Sequence, residues 1–244
     1  MNNETIGISA EVAIAKAFDV KINKKYERRA DSKIVKKIKK YITKAFDVLE
    51  IPRPINHCAE NQNPVDFLLK KEKTLSVKTN TKKFGKSAPQ KVGQPTSKTY
   101  FEKVAKAVKV EPRKAPEEYE DRVKLFKKIS TQEIKKVLTL YWKHFFSCDY
   151  MIYISNINSK KDIPNFIMFK KASKSPEWEE KEITFTRGLD KWNKGTTVKY
   201  FGVSLGEFQI HKNENRDCFE FRFNVKGLIK LIEMGKIKCK MRTF

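Results

Sequence analysis

The sequence predicts an α/β protein whose helices lie mainly in the first 146 residues and whose last third is rich in strands. Apolar residues recur at helical spacing from Ile34 to Leu49 and again over 117–146, which indicates amphipathic helices. Short runs rich in β-branched and aromatic residues, bounded by polar turns, indicate strands near residue 70 and after residue 149. With 244 residues and a 39% hydrophobic fraction, the chain can bury one core, or a core with a smaller lobe.

Two helices are expected at the start of the chain. Residues 4–18 predict a short, largely buried helix, with Thr5 or Ser9 available as its cap. Residues 21–44 hold eleven Lys or Arg against two acids, while the apolar residues fall on one face. We therefore expect an amphipathic helix with a strongly basic outer face, ended by a loop rich in Pro and Asn over 51–64.

A β-hairpin is expected next, followed by a long loop and more helix. Strand patterns at 65–69 and 74–79 are joined by the polar turn KKEK. Residues 81–98 contain Gly, Pro, Ser, Gln and Lys with little to bury, so they predict a loop, and a long loop inside a compact domain is usually functional. Helical patterns resume at 99–110 and 117–146.

The C-terminal part reads as strands with one closing helix. Asn224 is suited to cap a short helix over 225–234. No internal repeat is visible, and we predict a division into a core of residues 1–156 and a β-rich part of residues 157–244. The strands are expected at 149–155, 165–170, 183–186 and at two places after residue 197.

The charge of the chain points to a polyanionic partner. Lys and Arg outnumber Asp and Glu by 53 to 29, which gives a net charge of +24. Such a field attracts polyanions, of which nucleic acid is the most common. An anionic membrane surface is the rival partner, but no stretch combines a basic face with exposed Trp, Phe and Leu. A lysine-rich composition typical of an AT-rich genome explains part of the excess.

Cysteine and histidine usage excludes several classes of protein. The spacing contains no CxxC pair, which argues against a zinc finger and offers no disulfide framework. The sequence shows no signal peptide and no segment long enough to span a membrane, so we expect a soluble protein in a reducing compartment. The four cysteines and three histidines of the chain are Cys58, Cys148, Cys218, Cys239, His57, His144 and His211.

The hairpin carries a pair of residues suited to phosphodiester hydrolysis. Asp66 stands at the start of its first strand, and Lys78 follows twelve residues later in the second. On adjacent antiparallel strands these side chains can point to the same face. A carboxylate can hold a divalent cation on the scissile phosphate, and an amine can position the attacking water and stabilise the developing charge. An Asp and a Lys at this distance also occur by chance, although a Lys inside an apolar strand is costly.

The segments NPVDFLL and LSVKTN resemble the signature of PD-(D/E)xK nucleases. The resemblance implies a central mixed sheet flanked by helices, Mg²⁺ as cofactor, Asp66 as metal ligand and Lys78 as catalytic lysine. It also implies that Glu11, in the first helix, and the main-chain carbonyl of Val77 approach the metal. Glu11 is otherwise an ordinary helical acid, although its neighbours in the sequence are apolar.

Two departures from that signature stand out. Val65 separates the proline from the aspartate, which this loose family tolerates. Ser76 stands where the family has an acid, and some restriction endonucleases are similar in having Ser or Asn there. A hydroxyl is a poor ligand for a hard cation. The number of metal ions therefore stays open.

Two further regions are candidates for DNA contact. The loop after Lys78 resembles a Gln- and Lys-bearing segment that approaches DNA in type II restriction enzymes. The hairpin of GEFQIH and CFEFRF presents polar side chains on one face, and such groups read base edges. The alternatives are a solvated loop and an ordinary half-exposed hairpin. The predicted contacts are Lys82, Lys83, Gln90, Lys91 and Gln94 in the loop, and Glu207, Gln209, His211, Arg216 and Arg222 in the hairpin.

These features together predict a type II restriction endonuclease that cuts double-stranded DNA as a homodimer in a bacterial cytoplasm. A separate DNA methyltransferase acting on the same site would then protect the host. One alternative is a repair or junction-resolving nuclease of the same superfamily. Another is a basic nucleic-acid-binding protein in which Ser76 marks a lost active site.

Overall fold

A computed structural model describes residues 3–59, 63–81, 84–87, 95–110, 114–157, 162–188, 191–213 and 216–244, without the side chains of residues 213 and 216. The chain forms two compact units, each assembled from separate stretches of sequence. The first unit comprises Met1–Gly85, Phe146–Ala172 and Cys239–Phe244, and the second comprises Lys86–Phe145 and Ser173–Lys238.

The first unit is built on a six-stranded mixed sheet with the order β1-β2-β3-β5-β6-β11. Strands β3 and β5 run parallel, with Lys78 opposite Tyr153, and the other pairings of this sheet are antiparallel. The parallel pair needs a long crossover, which here includes residues of the second unit. The strands are β1 Pro54–His57, β2 Phe67–Leu69, β3 Lys73–Thr79, β5 Tyr150–Ser155, β6 Asn165–Lys170 and β11 Lys240–Thr243.

Helices α1 (Asn3–Ala17) and α3 (Ser32–Leu49) cover one face of this sheet, with the one-turn helix α2 (Lys24–Glu27) between them in sequence. The Asp31 side chain accepts from the N–H groups of Lys33 and Ile34 and so begins α3. The two helices bury their apolar faces against alternate strand residues, which are Phe67, Leu69, Leu75, Val77, Ile152, Ile154, Phe166 and Met168.

The second unit holds an antiparallel sheet with the order β4-β10-β9-β8-β7. One face is lined by the phenylalanines that alternate along β9 and β10, and rings of the helices pack on them, with Phe126 stacked on Phe219 at 4.3 Å. The elements are β4 Lys86–Ser87, α4 Tyr119–Gln132, α5 Ile134–Phe145, β7 Ile183–Phe185, β8 Gly195–Tyr200, β9 Val203–Asn213, β10 Arg216–Asn224 and α6 Val225–Glu233.

The predicted α/β class is confirmed, and several element boundaries differ. The basic helix predicted over 21–44 begins only at Ser32, because Asp31 caps it there. The single helix predicted over 117–146 is two helices, because Glu133 leaves helical geometry with φ −109° and ψ 26°. Residues 99–110 contain a π-helix at Phe101–Ala105 in place of a regular helix.

Two strands lie in segments for which no strand was predicted. β1 falls within the predicted loop over 51–64, and β11 lies close to the C-terminal end of the chain. Each occupies an edge of the mixed sheet and pairs with one neighbour, β2 for β1 and β6 for β11. Such short edge strands carry little alternation in their sequence, because tertiary pairing and not local pattern selects them.

The predicted division into functional parts at residue 156 stays a prediction. The two compact units divide the chain differently, since residues 86–145 belong to the second unit. Among the described residues, none of the helices combines the length and apolar character needed to cross a membrane.

Candidate active site

Asp66 lies immediately before β2 and faces β3 across the antiparallel pair. Its own N–H donates to the Leu75 carbonyl at 2.9 Å, which fixes the backbone at this point. Its Oδ2 accepts from the Val77 N–H at 2.5 Å and from the Ser76 hydroxyl at 3.2 Å. The residue is only 5% exposed, so the carboxyl is a buried acceptor held against the middle of β3.

Burial changes the acidity of this carboxyl. Desolvation is the largest cause and the nearby charge of Glu11 adds to it, and together they raise the pKa of Asp66 to about 6. Lys78 and the hydrogen bonds from Val77 and Ser76 act in the opposite direction and lower the pKa. A divalent cation would supply the positive charge that favours the ionised form in this setting.

Strand β3 places Ser76 and Lys78 on one face, because residues two apart in a strand project to the same side. Leu75 and Val77 alternate to the opposite face and pack in the core with α1 and α3. Lys78 is half-buried, and its charge acts on both Asp66 and the neighbouring Cys148. Asp66 and Lys78 thus lie near enough across the hairpin for their charges to interact.

Glu11 projects from α1 and is 7% exposed. Its Oε2 accepts a hydrogen bond from the Tyr26 hydroxyl at 2.6 Å and lies 2.9 Å from His57 Nε2. The His57 ring in turn packs edge-on against Phe67, next to Asp66. Burial and the charge of Glu11 raise the pKa of Tyr26, so the phenol stays protonated and acts as a donor. Both contacts engage the same carboxylate oxygen of Glu11.

Tyr26 and His57 are site residues that the sequence did not indicate. They lie 15 and 46 residues from Glu11 in the chain, and no motif links the three. His57 drew attention only as half of a possible metal site beside Cys58. Sequence patterns do not reveal either residue, because α2 and β1 bring them to the Glu11 carboxylate only in the folded chain.

The donors collected here fit a hard divalent cation. Asp66 and Glu11 supply carboxylates, which Mg²⁺ prefers. The N–H of Val77 points toward Asp66, and the carbonyl of a strand residue projects to the same edge as its N–H, so the Val77 oxygen also faces the site. Ser76 contributes a hydroxyl already bonded to Asp66, and it adds no charge.

The polar face of the second sheet forms a connected network. Arg222 Nη2 donates to Glu207 Oε1 and to Gln209 Oε1, both at 2.6 Å, and Gln209 also donates to Glu207. His211 Nε2 lies 3.1 Å from Glu220 Oε2, and Lys86 pairs with Glu207. The predicted alternation of Phe and polar residues is present. Glu207 and Glu220 are buried within the polar face, however, and are not exposed as predicted. Lys82, Lys83, Gln90, Lys91, Gln94 and the Arg216 side chain lie outside the described residues.

The chain is similar to a known restriction enzyme. It is 33% identical over 193 residues to the type II restriction enzyme CviAII of Paramecium bursaria Chlorella virus 1. The match covers 78% of this chain and 50% of that enzyme, so the chain spans about half the length of the relative. No family model matches the chain, and no solved structure matches it.

Proposed function

We propose that the chain is a Mg²⁺-dependent endonuclease that cuts double-stranded DNA at a specific sequence, as type II restriction enzymes do. The observation that carries the proposal is the arrangement of Asp66, Lys78 and Glu11 at one end of the mixed sheet. The similarity to a type II restriction enzyme over 78% of the chain supports it, as does the net charge of +24.

In this proposal the site is a PD-(D/E)xK centre with Ser76 in place of the usual acid. Asp66, Glu11 and the Val77 carbonyl hold Mg²⁺, which when bound polarises the scissile phosphate. Lys78 orients the attacking water and stabilises the negative charge that develops on the phosphate. Ser76 donates to Asp66 and keeps its Oδ2 in place, while Tyr26 and His57 orient Glu11.

The proposal extends to partners and setting. A two-fold symmetric homodimer suits the cutting of both strands of a palindromic site. A DNA methyltransferase acting on the same sequence is the functional partner, and a bacterial cytoplasm is the expected location. DNA is contacted by Lys82, Lys83, Gln90, Lys91 and Gln94 of the segment 81–98 and by Glu207, Gln209, His211, Arg216 and Arg222 of the second sheet.

Digestion of plasmid DNA tests the proposal. The chain is incubated with plasmid and Mg²⁺, and the ends of the products are sequenced. Discrete fragments that share one end sequence support a restriction enzyme. Ragged ends or nicks at DNA structures would instead indicate a repair or junction-resolving nuclease, and intact DNA would indicate a binding protein. A parallel digestion with EDTA must leave the plasmid uncut.

A further inference from the structure

We propose that the second unit binds Zn²⁺ through His211, Cys218 and Glu220, at a site separate from the Asp66 centre. Antiparallel pairing of β9 and β10 places Cys218 directly opposite His211. Glu220 lies two residues further along β10 and therefore on the same face as Cys218. The two strands thus bring together three ligand types that are seven and two residues apart in sequence.

The geometry fits a single ion. One ligand atom from each residue, an imidazole nitrogen, the thiol sulfur and a carboxylate oxygen, lies within 4.8 Å of the others. His211 Nε2 and Glu220 Oε2 are 3.1 Å apart. With zinc–ligand bonds of about 2.0–2.3 Å, neighbouring ligands of a tetrahedral ion lie roughly 3.3–3.8 Å apart. Small side-chain adjustments therefore suffice to close the three residues around zinc.

Burial and donor chemistry select the kind of metal. Glu220 is 1% exposed and Cys218 is 5% exposed, whereas the His211 side chain is 29% exposed and leaves a path for entry. A thiolate with an imidazole is a soft donor set that favours zinc and disfavours magnesium. With His211 bound through Nε2 as its Nδ1–H tautomer and Glu220 as a carboxylate, the one proton that binding releases is that of the Cys218 thiol, which passes to solvent.

The surrounding network supplies the remaining contacts. Gln209 Oε1 lies 3.1 Å from His211 Nε2, so it or a water molecule occupies the fourth position. Arg222 Nε lies 3.5 Å from the other oxygen of Glu220 and orients that carboxylate from outside the site. A bound ion would therefore cross-link β9 and β10 and fix the polar row on which Gln209 and Arg222 lie.

Cobalt substitution tests the site without DNA and without catalysis. Full-length protein is loaded with Co²⁺, and the near-ultraviolet spectrum is recorded for a thiolate-to-metal charge-transfer band. We expect the band in the wild type, its loss in Cys218→Ser and its retention in Cys148→Ser, which alters a buried thiol of the first unit. A band that survives in Cys218→Ser, or that is missing from the wild type, would overturn the proposal.

Zinc affinity gives a second measurement, whose signal does not come from a thiolate-to-metal band. Equilibrium dialysis of the wild type against Zn²⁺ in excess Mg²⁺ should leave one tightly held equivalent per chain, and His211→Gln should weaken it at least about tenfold. Lys78→Ala should bind zinc like the wild type, because it lies in the other unit. If His211→Gln retains full affinity, or if Mg²⁺ displaces the ion, the assignment is wrong. A failure of DNA cleavage alone would count against the proposed function and not against this site.

Discussion

At the scale of single residues, the site depends on how a buried carboxylate is held in one orientation. Glu11 receives both of its described contacts on Oε2, from Tyr26 and from His57. In the proposed site, that arrangement leaves the other carboxylate oxygen of Glu11 as the one that would bind the cation. Partners of a metal ligand that do not touch the metal commonly change metal affinity by about 10- to 100-fold when they are removed.

Tyr26→Phe should therefore weaken the binding of Mg²⁺ rather than abolish cleavage. We expect the Mg²⁺ concentration for half-maximal cleavage to rise about tenfold, with nearly normal rates at saturating metal. Tyr41→Phe removes a hydroxyl from α3 that is not among the described hydrogen-bond partners of Glu11, and it serves as the matched control. An unchanged Mg²⁺ requirement in Tyr26→Phe would show that the phenol does not position Glu11.

The raised pKa of Asp66 predicts how metal binding depends on pH. Only the ionised carboxylate binds a cation, and burial raises the pKa of Asp66 to about 6. Affinity for Ca²⁺, used as a probe that replaces Mg²⁺, should fall about tenfold per pH unit below pH 6. Calorimetry at several pH values measures it, and a constant affinity from about pH 5 to 7 would contradict the assignment.

The same shift predicts the stability of the metal-free protein. The folded state favours the protonated carboxyl, so between about pH 4 and 6 it holds more protons than the unfolded chain. The free energy of unfolding should therefore decrease as the pH rises through this window. The side chain of Asp66→Asn cannot ionise, so the free energy of unfolding of this variant should lack this component of the pH dependence.

The sequence was most informative for residues whose role follows from local spacing. Asp66 and Lys78 were predictable because a strand, a turn and a second strand fix their relation, and both lie where expected. Tyr26 and His57 were not, because α2 and β1 meet Glu11 only after the chain has folded. The approach of His211 to Cys218 and Glu220 depends on the register of the β9–β10 hairpin, which the alternation of residues did not specify.

At the scale of elements, the sequence allowed helix caps and strand alternation to be predicted, but not interruptions within a helix. Asn224 caps α6 as expected, since its side chain accepts from the Gly227 N–H. Gly227 also allows α6 to lie against β9, because an added Cβ would meet the Ser204 carbonyl at 1.8 Å. The helix breaks at Glu133 without a Gly or Pro nearby, so neither apolar periodicity nor a breaker residue indicated it.

The polar row on β9 and β10 predicts a change of specificity on mutation. Arg222→Ala and Gln209→Ala should each cost about 1–3 kcal/mol at the preferred DNA site if they contact bases. Binding to random DNA should barely change, because phosphate contacts remain. Lys226→Ala, which removes an exposed cation from α6 of the same unit, is the control for a loss of charge alone.

The measurement is the ratio of specific to non-specific affinity for each variant. Arg222 also pairs with the buried Glu207, so thermal unfolding must first establish that Arg222→Ala is folded. Equal weakening of both kinds of binding would show that this row does not read bases. Recognition would then be sought in the segment of residues 81–98.

At the scale of the whole molecule, charge is the property that the sequence predicts best. The excess of 53 basic over 29 acidic residues is independent of how the chain folds. The arrangement into two compact units was less accessible, because residues 86–145 leave the first unit between β3 and β5 and join the second. Local patterns predict elements along the chain, and they do not indicate which distant stretches cluster together.

That charge predicts a steep salt dependence of DNA binding. Release of counterions from roughly six or more phosphates corresponds to a slope of about −5 or steeper in a plot of log affinity against log salt concentration. Metal-free binding to a duplex, titrated between about 50 and 200 mM salt, measures the slope. A nearly flat titration would mean that the net charge of +24 does not drive binding to DNA.

Cleavage and binding by Lys78→Ala test the central claim most directly. In the proposed mechanism Lys78 acts on the scissile phosphate and affinity comes from many dispersed cations. Cleavage should therefore be abolished while metal-free DNA affinity stays within about tenfold, or roughly 1.4 kcal/mol. Asp66→Ala should behave in the same way. Lys73→Ala, at the exposed start of the same strand, should cut DNA like the wild type. If Lys78→Ala retains near-normal cleavage, the active site is not where we place it.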